Sequence, residues 1–276
     1  MTAYMSFEWL KLSKRWMPRV ILLLLLTLLV LAFWGQGTHL RGGDEPNLAL
    51  PRAALAALIY GSFFAPFFWP VLGGSWAGSE YGWGTIRMVL SRRPYRIQHV
   101  FSALGVLLAG VGIALVAVVV VGGIAGTVVA LLTGNDVFLS GVVSAAFIGT
   151  VVKCFLTAWF VAAFYLVLAY AAATIFRSAA VGIGVGIGST LAEFVLRGIF
   201  DRLGGHWNDV ASHFPVVYSN DVATRVASSG LIAGSNLASV DSSAPSAGIS
   251  ILALGIYMAI FLAITMAAVR SRDVTA

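Results

Sequence analysis

The chain has 276 residues, of which 59% are hydrophobic and only 10% charged, and its mean hydropathy is +0.93. A soluble domain carries about 25% charged residues, so this composition excludes a water-surrounded globule and makes lipid the main solvent. The net charge of +6 lies on residues that flank apolar runs, as topology signals do, which argues against a nucleic-acid surface; the single cysteine, Cys154, excludes an intramolecular disulfide and a cysteine metal cluster.

Residues 4–16 mix aromatic, apolar and basic side chains, with Phe7, Leu10 and Lys14 at helical spacing and Trp9 and Trp16 suited to an interface. They predict a short amphipathic helix lying on the cytoplasmic membrane surface. A first span is expected over 18–34, with unbroken leucine from Leu22 to Leu26 and Pro18 in its first turn. Its basic flank resembles a signal peptide, but no small-residue cleavage site follows, so a retained span is expected. Residues 35–52 form a polar loop rich in turn formers.

A second span is expected over 53–77. It contains Phe63, Phe64, Phe67, Phe68 and Trp69 with Pro66 and Pro70 between and after them, and each proline withholds a backbone donor and bends the helix. Phe64, Phe67 and Phe68 either line a greasy path for an amphipathic substrate or form an ordinary core or lipid-facing stripe. Residues 78–99 are polar and basic. A third span is expected over 100–132, which exceeds the roughly 20 residues needed to cross and therefore tilts, breaks near Gly122-Gly123 or ends in an interfacial turn.

A fourth span is expected over 153–176, with Lys153 reaching to the interface and 137–152 as a half-buried lead-in helix. Arg177-Ser178 is a tight turn into a fifth span over 179–200. Within it, Gly182, Gly184, Gly186 and Gly188 permit close helix approach, either at a dimer seam (Gly182, Gly186) or inside one chain. Glu193 and Arg197 lie four apart and can meet. A charge in lipid is costly unless paired or wet, so they mark a translocation path or dimer seam, or a self-satisfied pair where the span leaves lipid. An outer segment follows over 201–247, and the sixth span over 248–269. His206, Asp209 and His213 in the outer segment form a weak metal pattern that surface residues reproduce readily.

With both ends cytoplasmic, the inner side holds Lys11, Lys14, Arg15, Arg19, Arg87, Arg92, Arg93, Arg96, Arg177, Arg270 and Arg272 against Glu8, Glu80 and Asp273. The opposite orientation inverts the positive-inside bias. No G-x-x-x-x-G-K-[ST] loop occurs, and none of the lysines, Lys11, Lys14 and Lys153, follows a glycine, so no phosphate loop of that kind is present. No G-x-S-x-G elbow surrounds Ser189.

The segment 80–96 reads as a turn feeding a short helix with a basic side, suited to docking on a soluble partner. Gly82 and Gly84 allow sharp backbone angles, Thr85 is a candidate N-cap, and Pro94 ends the helix. Its pattern of Glu80, Gly84-Thr85, Arg87, Leu90-Ser91, Pro94 and Arg96 resembles the segment after the second span of ABC-2 type permeases, the membrane subunits of ATP-driven exporters. The layout of an interfacial helix, six spans and a long outer segment is similar as well. Arg92-Arg93 departs from the small or apolar residues usual before the proline in that family.

The resemblance implies an all-α integral membrane protein of ABC-2 (type V exporter-like) architecture in a prokaryotic cytoplasmic membrane. It implies a permease and not an enzyme, holding no cofactor of its own, with ATP and Mg on two copies of a separate ATPase subunit and a second copy of this permease or a homologous one as partner. Residues 78–99 are then the ATPase-coupling segment, through Glu80, Gly82, Gly84, Thr85, Arg87, Leu90, Ser91, Pro94 and Arg96, and the outer segment forms short re-entrant helices. An amphipathic or hydrophobic substrate fits spans with few charges. The competing expectations are a self-contained secondary transporter or channel, which needs ionisable residues near mid-membrane, and a membrane scaffold without transport.

Overall fold

The computed structural model describes residues 2–39, 50–84, 96–133, 145–228 and 246–271. In chain order the helices are α1 (Thr2–Lys14), α2 (Trp16–His39), α3 (Arg52–Gly82), α4 (Arg96–Leu132), α5 (Ala145–Phe176), α6 (Ala179–Leu203), α7 (His206–Ser212), α8 (Pro215–Ser228) and α9 (Ala247–Ser271). Six of them, α2, α3, α4, α5, α6 and α9, are long and apolar enough to cross a membrane. The protein is an all-α, multi-pass membrane protein.

The helices outlast the apolar runs that mark them. α4 has 37 residues, about 55 Å at 1.5 Å per residue, against a hydrocarbon core of about 30 Å. It passes Gly122 and Gly123 without a break; a Cβ on Gly122 meets the Ala57 side chain, so the glycine serves packing against α3. α5 starts at Ala145, so the later part of the expected lead-in helix 137–152 is continuous with the span. α3 likewise continues past the expected boundary at residue 77 to Gly82. These ends project beyond the apolar core, which lets the last turn of α3 and the first of α4 carry polar groups.

α3 lies at the centre, packed most extensively on α5 and then on α6, while α2 flanks α4 and α9 rests on α5 and α8. Among the largest fully buried side chains are Trp76 of α3 and Phe164 and Tyr165 of α5. Small residues bring these axes together. A Cβ on Gly78 collides with the Ala179 backbone, and one on Gly74 lies 2.7 Å from the Ile183 nitrogen. From the other side, a Cβ on Gly182 lies 2.5 Å from Ala173 Cβ, and one on Gly186 lies 2.5 Å from Pro70 Cβ. Backbones in contact maximise the dispersion that holds helices together in lipid, where no hydrophobic force operates between them.

The turn between α5 and α6 is two residues long. Arg177 takes a left-handed φ of 54°, and the Ser178 side chain accepts the Val181 amide at 3.4 Å, an N-cap for α6. At the opposite end, α7 and α8 fold back on the bundle, with α8 against α5 and α9.

Candidate functional site

The densest polar site joins α1 to the ends of α3 and α4. α1 turns its acid inward: Glu8 is fully buried (0% exposed), whereas Phe7 is 54% and Leu10 57% exposed. The amphipathic helix expected over 4–16 thus offers aromatic and aliphatic groups to the lipid interface and its acid to the protein. Leu12 seats it against the bare backbone of α4 at Gly110.

Glu8 Oε2 accepts the Trp76 indole N–H at 2.9 Å and lies 3.4 Å from Lys11 Nζ. Lys11 in turn donates to Glu80 Oε1, and the other oxygen of Glu80 lies 2.9 Å from His99 Nε2. His99 Nδ1 is 3.9 Å from Glu8 Oε1, a buried oxygen with no hydrogen-bond partner. Two carboxylates, an ammonium and an imidazole thus close a ring across three helices. Arg15, at the link between α1 and α2, caps the ring: its guanidinium stacks 4.8 Å from the Trp76 ring and 5.0 Å from the Trp83 ring and donates to Ser79 Oγ at 3.1 Å. Burial pulls the Arg15 pKa down, against the opposing pull of Glu80 and Glu8, and the guanidinium stays charged.

Glu8, Glu80 and His99 each place a potential ligand atom within 4.8 Å of the others. Lys11 already supplies a cation there, so a metal ion has to displace an ammonium and tolerate Arg15 at the rim. Among the described residues His206, Asp209 and His213 form no such group; His213 Nδ1 lies 2.6 Å from the Asp209 backbone oxygen instead.

Of the expected coupling residues, Glu80 is buried inside α3, and Gly82 ends that helix exposed, with nothing near an added Cβ. Gly84, also exposed, adopts a left-handed φ of 65° and turns the chain away. Thr85, Arg87, Leu90, Ser91 and Pro94 lie outside the described residues, and Arg96 begins α4. The polar stretch expected over 78–99 is therefore helical at both ends, up to Gly82 and from Arg96.

Phe64, Phe67 and Phe68 are half-buried on α3, with Phe64 edge-on to Phe68 at a centroid distance of 6.3 Å. Gly182 and Gly186 face α5 and α3 of their own chain, so the close approach they allow is made within the bundle. Gly184 and Gly188 point outward with open space around them. The Glu193 carboxylate accepts the Val216 amide at 2.7 Å, capping the first turn of α8, where a negative charge meets the helix dipole. Arg197 lies half-buried one turn further along α6.

Glu8, Lys11, Trp76 and His99 were not singled out from sequence. The available signal was a lone acid in an otherwise apolar and basic helix, and a histidine at the start of a long span. The chain matches no protein-family model and no curated protein sequence.

Proposed function

We propose that this chain is the permease subunit of an ATP-driven exporter of the ABC-2 type. Two copies of a separate ATPase subunit, carrying ATP and Mg, drive it, and a second permease copy completes the pathway. The observation that carries this reading is the ring of ion pairs that joins the end of α3 to the start of α4, the two helix ends that flank the expected coupling segment. Glu80 at the end of α3 and His99 at the start of α4 are joined at 2.9 Å, and α1 clamps both through Lys11 and Glu8. A displacement applied to the connecting segment reaches the bundle only if the helix ends that receive it are stiff, and this ring of ion pairs supplies that stiffness.

The orientation follows from charge. Lys11, Lys14, Arg15 and Arg19 lie in α1 and the start of α2, and Arg177 lies beside the end of α3 that α1 clamps; the positive-inside bias supports a cytoplasmic location for that end. The membrane is then the prokaryotic cytoplasmic membrane, and the substrate is amphipathic or hydrophobic because the spans offer few charges. The open face of α6 is the surface suited to the second copy. A secondary transporter would draw on Glu193 as its ionisable group, yet that carboxylate is occupied in holding α8.

The decisive experiment is a mild-detergent pull-down from native membranes with mass spectrometry. A stoichiometric ATPase with a phosphate-loop motif is expected, and it is lost when residues 85–95 are replaced. Gly84→Pro is expected to uncouple ATP hydrolysis from transport while the chain still inserts, because proline cannot adopt a positive φ and Gly84 has no packing to lose. Recovery of the chain alone as a stable oligomer refutes the exporter reading.

A further inference from the structure

We infer that His99 carries a proton on each ring nitrogen, one facing Glu80 and one facing Glu8, and that this latches α1 onto the ends of α3 and α4. The inference stands apart from the transport reading, since it concerns how one helix is held to the bundle.

It rests first on the unpartnered oxygen. Glu8 is 0% exposed, its Oε2 takes the Trp76 indole N–H, and its Oε1 has no hydrogen-bond partner. A buried carboxylate oxygen left without a donor is strongly unfavourable. The atom it faces is His99 Nδ1, 3.9 Å away, on an imidazole whose Nε2 already lies 2.9 Å from Glu80. A neutral imidazole donates from one nitrogen only. If Nε2 donates to Glu80, Nδ1 turns a lone pair toward the bare oxygen of Glu8. A proton on Nδ1 converts this repulsion into an attractive contact.

The surrounding charges agree. α1 contributes Glu8 and Lys11, and α3 contributes Glu80. Arg15 closes the rim but stacks on Trp76 and Trp83 and gives its N–H to Ser79, not to a carboxylate. From α5, the buried phenol of Tyr170 lies within electrostatic reach of both carboxylates and is neutral near pH 7. The two carboxylates face Lys11 and, at the rim, Arg15, and a proton on His99 Nδ1 is what turns a donor toward the bare oxygen of Glu8. A divalent ion serves the same geometry less well, because it adds two charges where Lys11 and Arg15 already stand.

When α1 is docked His99 holds both ring protons, and when it is undocked, in water near pH 8, the second proton is lost. Docking is therefore tight on the acid side of neutrality and weakens as pH rises, by up to about tenfold in the docking equilibrium per pH unit for one proton.

Two measurements on the full chain in lipid nanodiscs test this. The first is the 15N spectrum of labelled histidines, with the His99 signal identified by its absence in His99→Gln. Two protonated ring nitrogens are expected at about pH 6; a neutral imidazole at that pH overturns the inference. The second is the spin-label distance between Leu10→Cys on α1 and Phe101→Cys on α4, in a Cys154→Ser background. A single docked distance at about pH 6 and a growing longer population by about pH 9 are expected, with that response absent in His99→Gln and in Glu8→Gln. A distance that ignores pH, or an unchanged pH response in both variants, overturns the latch. So does a response at fixed pH to EDTA or added zinc, which assigns the site to a metal ion.

Discussion

At the residue scale, the junction of α1 with α3 and α4 is a set of groups that tolerate each other only as a complete set. Ion pairs taken out of water repay their desolvation only when geometry and partners are complete. Removing Glu80 leaves Lys11 and His99 facing each other without the acid that joins them. Glu80→Ala is therefore expected to destabilise the protein by about 3–5 kcal/mol, read as a lowered unfolding midpoint in detergent. Trp76→Phe keeps the ring packing but deletes the donor to Glu8, and about 1–3 kcal/mol is expected. If Glu80→Ala unfolds no more easily than the parent, the ring is incidental to the fold. The same burial makes Glu80 a poor site for testing coupling alone, since a lysine there disrupts the fold as well. Gly84, exposed and left-handed, isolates the backbone turn.

At the element scale, α6 carries glycines on two faces with different jobs. Gly182 and Gly186 lie against Ala173, Ala169 and Pro70 of the same chain. Leucine at either site overfills a contact between backbones, at about 1–3 kcal/mol or more, and is expected to lower the unfolding midpoint. Gly184 and Gly188, with Ala180 and Ala192 a turn beyond on each side, face outward and have the small-xxx-small spacing that suits a second helix. Gly184→Leu and Gly188→Leu are expected to leave the monomer stable and to reduce the dimer fraction seen by native mass spectrometry. An unchanged dimer fraction removes this face as the seam. α6 also shows how an intramembrane acid is reconciled with its setting: Glu193 caps α8 from a neighbouring helix, so it holds the outer helices in place.

At the scale of the whole molecule, each span reverses direction. The contacts of Gly78 with Ala179 and of Lys11 with Glu80 place α1, the end of α3, the start of α4 and the turn at Arg177 on one side. α7 and α8 lie on the other, following α6. Cysteine introduced at Ser178 is expected to react with a membrane-impermeant maleimide only when the cytoplasmic face is opened. Cysteine at the exposed His206 is expected to react in intact cells. Native Cys154 is buried and does not confuse the assay. The reverse pattern overturns the proposed orientation.

What the sequence by itself determined is what depends on near neighbours in the chain. A run of about 20 apolar residues spans lipid wherever it occurs, so the six long helices were legible, as was the tight turn at Arg177-Ser178. Their ends were less so, because apolarity stops at the first polar residue while helical hydrogen bonding continues, as it does through Glu80 and from Arg96. The tertiary structure alone decided which polar groups meet. Trp76 and Glu8 lie 68 positions apart, Lys11 and Glu80 lie 69 apart, and Glu80 and His99 lie 19 apart. No periodicity links such positions, and each in isolation looks like an ordinary charge beside a membrane. Only the folding of α1 back onto the ends of α3 and α4 removes them from water together, and desolvation is what turns five scattered residues into one interdependent site.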